Sequence, residues 1–214
     1  MRILVLEQQA DAPAGLVGEW AIERGARVDV VRAPELDEWP DPRAADAVVA
    51  LGSDRSVHAS SDPWIGAQLA FLRAAHEADV PVLGICFGGQ ALAAALGGTV
   101  ARAPRTEIGW IEVDGDDGYG GSWFTWHEDA FTVPPGAVEL ARAASGPQAY
   151  ALGRSVGLQY HPEVTQAIVD GWLATADDSV PDPEPLRRET ARRVQGARER
   201  AFVLFDRISA CWAG

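Results

Sequence analysis

Two short segments carry side chains that could do covalent chemistry together. The first is Gly84-Ile85-Cys86-Phe87-Gly88-Gly89-Gln90, which follows the apolar run Val80-Pro81-Val82-Leu83 and precedes the Ala- and Leu-rich stretch 91–96. A thiol at a sharp strand-to-helix turn needs small neighbours, because side chains beside it would block both the turn and an approaching substrate. The helix expected after Gly88 would also aim its unsatisfied N–H groups at the sulfur and favour negative charge there. Taken alone, the heptapeptide fits a buried cysteine in a Gly-rich turn as well as a nucleophile, since free cysteine is among the most buried residue types. The second segment is Gln159-Tyr160-His161-Pro162-Glu163, at the end of the strand-like run 154–160. A histidine can take the thiol's proton and return it to a leaving amine, and a carboxylate two residues on can orient the imidazole. The same tripeptide also reads as a helix start, with Pro162 at the first helical position and Glu163 favouring the dipole.

Together the two segments resemble the triad family of class I glutamine amidotransferases, in which a Gly-x-Cys-x-Gly-x-Gln elbow is completed by a later His-Pro-Glu. Glu107-Ile108-Gly109-Trp110 and Phe124-Thr125-Trp126-His127-Glu128-Asp129 add a similarity to stand-alone, GMP-synthase-like members, and the resemblance covers residues 1–175. It implies Cys86, His161 and Glu163 as the catalytic set, with the backbone N–H groups of Phe87 and Gly52 as the oxyanion hole. It further implies substrate contacts from Ser53 and Gln90, and from Trp126, His127, Glu128 and Asp129, read as a loop closing over the substrate. The chain departs from the family pattern at Gly52-Ser53-Asp54, at Gly89 and at Glu128. His127 reads as a structural or substrate-loop residue, since a Cys-His pairing needs one histidine; His58 and His76 read as surface residues. Of Trp110, Trp123 and Trp126, at least two are expected buried beside the sheet rather than shaping a pocket mouth.

The elements that must position these residues alternate. Residues 2–6 read as a strand, 13–24 as a helix ended by Gly25, and 27–31 and 47–51 as further strands. Asp62 is expected to cap a helix with Pro63 at its first position and Ile65, Leu69 and Leu72 on one face; a strand over 80–85 then delivers Cys86. Apolar strands alternating with amphipathic helices predict an α/β fold with a doubly wound, mostly parallel sheet, where ligands bind beyond the carboxyl ends of the strands. After the Cys86 helix come short extended runs at 99–102, 108–113, 122–126 and 138–143, then a hairpin of 148–152 with 155–159 about Gly153-Arg154. These read as an antiparallel extension that returns the distant histidine to the thiol, and the resemblance implies the flavodoxin-like class I glutamine amidotransferase fold. Asp114-Gly115-Asp116-Asp117-Gly118 reads as a solvated turn rather than a metal cluster. Residues 1–175 are expected to form the catalytic domain, and 176–214 an acidic, Pro-rich linker with a helix over 186–210 that docks on it by its apolar Phe202-Val203-Leu204-Phe205 end.

Composition bounds the reading. The chain has 214 residues, 47% hydrophobic and 23% charged, in keeping with a globular domain. No apolar run is long enough to span a bilayer, and the opening segment reads as a first strand rather than a signal peptide, so a cytoplasmic location is expected. A net charge of −13 argues against nucleic acid or an anionic membrane as partner. All 18 basic residues are arginine, which removes a phosphate-loop lysine and every lysine-nucleophile mechanism. Cys86 and Cys211 are placed as neither a disulfide framework nor a zinc set, and Cys211 reads as a packing residue. No cofactor or metal is implied.

The function these features predict is hydrolysis of the glutamine side-chain amide through a γ-glutamyl thioester on Cys86, giving glutamate and ammonia. No synthetase motif is visible in the sequence, so an ammonia-accepting synthetase would be a separate partner. Two alternatives stay open: a γ-glutamyl peptidase or hydrolase acting on other γ-glutamyl amides, and a non-catalytic regulatory member of the family.

Overall fold

The computed structural model describes residues 1–58, 62–116, 118–176 and 179–212. The chain opens with strand β1 (Arg2–Glu7), helix α1 (Gly15–Glu23), strand β2 (Arg27–Arg32) and strand β3 (Ala47–Ala50). Helix α2 (Pro63–Glu77), strand β4 (Val82–Ile85) and helix α3 (Phe87–Ala95) follow. β1, β3 and β4 have nearly every residue buried, as expected of parallel strands covered on both faces. α2 turns Ile65, Gln68, Phe71, Leu72 and Ala75 inward, with Leu69 half-buried beside them. Its N-cap, Asp62, makes no side-chain capping bond; the carboxylate lies 3.6 Å from Arg55 instead.

Beyond α3 the chain turns to antiparallel pairing. Strand β5 (Val100–Gly115) pairs with β6 (Gly121–Phe131), and β7 (Val138–Ala143), β8 (Gly146–Leu152) and β9 (Ser155–Leu158) lead back towards β4. Among the described residues the nine strands form one sheet in the order β2-β1-β3-β4-β9-β8-β7-β5-β6. The first five in that order run parallel, and from β9 outward each pairing is antiparallel. This is the doubly wound sheet with an antiparallel extension. The two extended runs expected at 99–102 and 108–113 are one strand, carried through an irregularity between Arg102 and Glu107. The β8–β9 hairpin pairs Leu152 with Ser155 and turns at Gly153 with φ +56°.

The last two helices are α4 (Gln166–Thr175) and α5 (Glu184–Ala210). α4 starts later than the His-Pro-Glu reading implies: Thr165 is its N-cap, accepting the Ile168 N–H at 3.3 Å, so residues 161–163 lie in irregular chain before it. α5 packs on α1 and α4. Phe202, Leu204, Phe205 and Ile208 enter the core, with Phe205 and Trp212 against Trp20 at ring separations of 5.7 and 6.0 Å. Each such side chain contributes about 1.5–3 kcal/mol, whereas the exposed Arg198 pairs with Glu19 and Glu23 are each worth about 0–1 kcal/mol. The apolar face therefore decides the docking. Several arginines in the helix are spent on the same domain: Arg193 donates to Ser122 Oγ at 2.5 Å, and Arg200 donates to the Ser122 carbonyl and lies over the Trp123 ring.

Cys211 is exposed, contrary to the packing role expected of it, and its neighbour Trp212 is the buried one. His76 is half-buried, bonded through Nδ1 to Ser155 Oγ at 2.9 Å, so it is not a simple surface residue. His58 is exposed but bonds the Val100 carbonyl at 2.7 Å. In the acidic Asp114–Gly118 run, Asp114 and Gly115 pair with Arg142 and Ala141 at the end of β5, the Tyr119 N–H donates to the Asp116 carbonyl, and Asp117 lies outside the described residues. So do Asp177 and Asp178 of the acidic linker. Among the described residues no helix is long and apolar enough to cross a membrane.

The β4–α3 turn is packed closely against backbone. A Cβ on Gly84 would overlap the Gly88 carbonyl, one on Gly88 the Ala50 carbonyl, and one on Gly89 the Leu158 carbonyl. The obstacles are backbone atoms, which cannot swing aside. Gly88→Ala should therefore destabilise the fold by about 1–3 kcal/mol, seen as a drop of roughly 2–12 °C in Tm by calorimetry; an unchanged Tm would show that this turn is looser than its geometry.

Candidate active site

Cys86 stands between β4 and α3 with φ 51° and ψ −110°. That left-handed backbone turns the thiol out of the line of the strand and towards the end of the sheet where the cleft lies. The Cys86 N–H donates to the Leu158 carbonyl of β9 at 2.8 Å, so the elbow is tied to the strand that leads to His161. The chain beyond β9 is pinned at two more points. The His161 N–H donates to the Phe124 carbonyl of β6, and the Glu163 carbonyl accepts the Leu16 N–H at the start of α1, both at 2.8 Å. Gly15 sits with φ +49° against that carbonyl, where a Cβ would not fit.

These anchors bring the three side chains together. His161 and Glu163 are buried, and the His161 Nδ1–H donates to Glu163 Oε1 at 2.6 Å. Cys86 stands beside the ring: a Cβ on Gly52 would meet His161 Cε1 at 3.0 Å and Cys86 Cβ at 3.8 Å, and both side chains line the same cleft. Burial is the largest influence on His161 and opposes its charged form. The charges of Glu163 and Cys86 and their hydrogen bonds outweigh it, so the ring holds its proton well above the ordinary value of 6.5. Among the described residues no protein group donates to the buried Glu163 Oε2.

The thiol opens into a cleft of about 580 Å³. Gly52 lies where a Cβ would come within 3.0 Å of His161 Cε1, and the preceding Leu51 carbonyl accepts the Gly88 N–H at 3.0 Å. That bond ties the loop after β3 to the start of α3. Phe87 is fully buried, packed on Trp64 at 5.6 Å, so it can reach the cleft only through its N–H, which as the first residue of the helix has no acceptor within it. Ser53 lines the cleft with its hydroxyl accepting the Arg55 N–H. Gln90 is buried, its amide nitrogen donating to the Asp129 carbonyl at 2.8 Å and facing Gln159 Oε1 at 3.4 Å.

Residues 126–129, expected as a closing loop, are strand: within β6, Trp126 pairs with Ile108, His127 with Glu107 and Asp129 with Arg102. The irregularity between Arg102 and Glu107 lies opposite them, and Thr106 from it lines the cleft. The Trp126 carbonyl is 3.7 Å from the Cys86 sulfur. Glu128 is exposed and pairs with Arg102 at 2.5 Å, and Asp129 accepts the Ser56 hydroxyl at 2.6 Å. His127 is buried beside Glu107. Of the three tryptophans, Trp123 is 1% exposed and stacked on Tyr160 at 4.8 Å, Trp110 is half-buried and donates to Thr190, and Trp126 is half-buried at the cleft.

Three contributors escaped the sequence reading. Trp172 of α4 meets the His161 ring edge-on at 4.9 Å while its indole N–H donates to the Asp11 carbonyl at 2.8 Å. Gln159 is fully buried with its amide nitrogen 3.9 Å from the Cys86 sulfur, and it lies in the very pentapeptide that carries His161. Glu107 reaches His127, and its signal was the Glu-Ile-Gly-Trp segment already picked out. Among the described residues no group of three or more His, Cys, Asp or Glu side chains could hold a metal ion.

A family model described as glutamine amidotransferase class-I matches residues 19–171. A protein of Aeropyrum pernix named GMP synthase [glutamine-hydrolyzing] is 35% identical over 179 residues, covering 75% of this chain and 34% of that protein. The chain spans about a third of the length of the curated relatives it matches. A solved glutamine amido transferase from Methylobacillus flagellatus superposes with a TM-score of 0.88 at 26% identity, covering 99% of this chain and 93% of that one. One from Thermotoga maritima shares the fold with a TM-score of 0.87 at 24% identity, covering 97% of each chain.

The raised proton affinity of His161 has a consequence for stability. A base strengthened by folding stabilises the native state fully below its unfolded value, here 6.5, and that contribution is lost as pH rises through the folded value. Tyr150 and Tyr160, driven well above 10 by burial, stay neutral through that range. Between pH 6 and 9 the wild-type Tm should therefore fall more steeply than that of His161→Gln, by thermal denaturation in matched buffers. Parallel curves would contradict the coupling.

Proposed function

Because the chain belongs to the class I glutamine amidotransferase family, we propose that it hydrolyses the side-chain amide of glutamine through a γ-glutamyl thioester on Cys86. The observation that carries this reading is the buried pair of His161 and Glu163, 2.6 Å apart and turned on a cysteine held in a left-handed backbone at the floor of a cleft. The Cys86 sulfur gives up its proton to His161 and attacks the amide carbon. The negative charge on the former carbonyl oxygen is met by the N–H groups of Phe87 and Gly52. When the tetrahedral adduct collapses, the C–N bond breaks and His161 passes the proton to the departing ammonia, leaving the thioester. Water enters, gives a proton to His161 and attacks the thioester; the C–S bond breaks, glutamate leaves and the thiol is restored. Glu163 orients the ring and balances its charge throughout. Gln90, Ser53 and the 126–129 strand shape the substrate's seat.

The acceptor of the ammonia is, in this proposal, activated by a separate synthetase. The match to about a third of relatives named GMP synthase [glutamine-hydrolyzing] supports a division of labour between an amidase unit and a synthetase unit. A second reading is favoured by the size of the cleft. Its volume, about 580 Å³, lies within the range of roughly 300–1,000 Å³ found for drug-sized ligands. That space suits a γ-glutamyl amide with a larger leaving amine, cleaved through the same thioester.

A glutamine-analogue electrophile should label the peptide containing residue 86, detected by mass spectrometry and blocked by excess glutamine. Cys86→Ala should take no label and lose about a thousandfold or more of the amidase rate. Side-by-side turnover of glutamine and γ-glutamyl dipeptides separates the two readings. Glutamine turnover at background with brisk dipeptide cleavage would overturn the first.

A further inference from the structure

A second histidine–glutamate pair, Glu107 with His127, stands behind the same cleft, which His127 lines, and does something different from the first. His127 is 4% exposed. Its Nδ1 lies 3.0 Å from the Asp129 carbonyl oxygen and its Nε2 3.1 Å from Glu107 Oε2. A carbonyl oxygen only accepts, so Nδ1 donates to Asp129, while Nε2 is held against the Glu107 carboxylate. Glu107 is held in its ionised form chiefly by the His127 hydrogen bond, against burial, with further hydrogen bonds from Ser145 and Gln148. The other charged groups around the pair are accounted for: Asp129 accepts from Ser56, Glu128 pairs with Arg102, and Cys86 and His161 also line the cleft.

With both nitrogens spent on protein acceptors, His127 has no polar atom left for a ligand. What it holds is the backbone. The Asp129 carbonyl receives two donors, His127 Nδ1 and Gln90 Nε2, from different elements. Three residues earlier, the Trp126 carbonyl faces the Cys86 sulfur. Here β6 has lost its regular ladder, because the pairing with β5 slips between Arg102 and Glu107. The Glu107–His127 bond lies at the edge of that break, between the first residues that pair again beyond it.

We infer that Glu107 is a positioning residue for the amidase reaction: through its hydrogen bond to His127 it fixes the 126–129 wall of the substrate cleft beside the irregularity in the β5–β6 ladder. This rests on the reading of the cleft as a γ-glutamyl amide site. The Cys86, His161 and Glu163 backbones are anchored on β4, β9, α1 and Phe124, away from this break, so loss of the pair acts on substrate seating more than on the chemical step. Glu107→Ala strands a buried donor and lets the wall shift. Glu107→Gln offers an amide donor to a neutral His127, which can still donate from Nδ1 to Asp129.

The test is steady-state amidase kinetics on purified full-length protein, with electrophile labelling of residue 86 as the control. KM for glutamine, or for the γ-glutamyl dipeptide if that is the better substrate, should rise about tenfold in Glu107→Ala with kcat within about threefold, the size expected for a stranded buried group. Glu107→Gln should return KM to within about threefold of wild type, as a replacement that restores the hydrogen bond. His127→Phe, which keeps a ring and removes both nitrogens, should reproduce the KM rise and covers the case in which Glu107→Ala does not fold. Labelled wild type with unchanged KM in Glu107→Ala, or in His127→Phe, overturns the inference alone. So does a loss confined to kcat, or no rescue by Glu107→Gln. Wild type that takes no label and turns over neither substrate overturns the underlying reading and the inference with it.

Discussion

Cys86 keeps a backbone conformation, φ 51° and ψ −110°, that non-glycine residues adopt rarely and at a cost of about 1–3 kcal/mol. It is kept there because everything around it is too close to let it relax. Gly84, Gly88 and Gly89 bring the turn into contact with the backbone carbonyls of Gly88, Ala50 and Leu158, and the Cys86 N–H is spent on Leu158. The same closeness puts the Gly88 N–H on the Leu51 carbonyl, so the loop after β3 and the start of α3 are set against each other by one bond. The burial of β3, β4 and β9 outweighs the strain, since each fully buried Val, Leu or Ile is worth about 1.5–3 kcal/mol. The stability of the sheet's centre is thus what holds the sulfur off its relaxed position.

The antiparallel extension solves a problem of distance along the chain. His161 lies seventy-five positions after Cys86, yet β9 pairs directly with β4, and the chain leaves β9 beside the elbow. Three bonds from three elements fix the exit: Leu158 to Cys86, Phe124 to His161 and Leu16 to Glu163. Backbone hydrogen bonds of this kind set positions without constraining side-chain type. Leu16, which donates one of them, carries no mark in the sequence.

That difference explains what could be read from the sequence. The β4–α3 elbow and His161-Pro162-Glu163 stand out because a covalent mechanism needs particular atoms at particular spacings. The parallel strands stand out because burial on both faces demands continuous apolar runs. The family resemblance makes the 126–129 segment a loop over the substrate, but it pairs with β5 as strand, its side chains divided between cleft, core and rim. β5 was split in two because Ala103-Pro104-Arg105 breaks the pattern, and the structure keeps the strand going through an irregularity at that place. The packing role expected of Cys211 falls to Trp212, because adjacent residues with no periodicity around them give no sign of which one turns inward. Trp172 was invisible for a different reason, since its contact with His161 depends on where α4 lies and not on its own neighbours in sequence.

The two histidine–glutamate pairs show how little the residue types themselves determine. Each imidazole meets a carboxylate, and each is buried. They differ in what the second nitrogen meets. For His127 it meets the Asp129 carbonyl, an acceptor with no proton to give, so the ring can only donate there. For His161 the ring stands beside a thiol, whose proton it can take and return. The carboxylates differ as well. Glu107 divides its charge among His127, Ser145 and Gln148, whereas Glu163 meets His161 through Oε1, and among the described residues no protein group donates to its other oxygen. The charge of Glu163 thus acts on the one imidazole that stands beside the thiol, and it is among the influences that raise that ring's proton affinity.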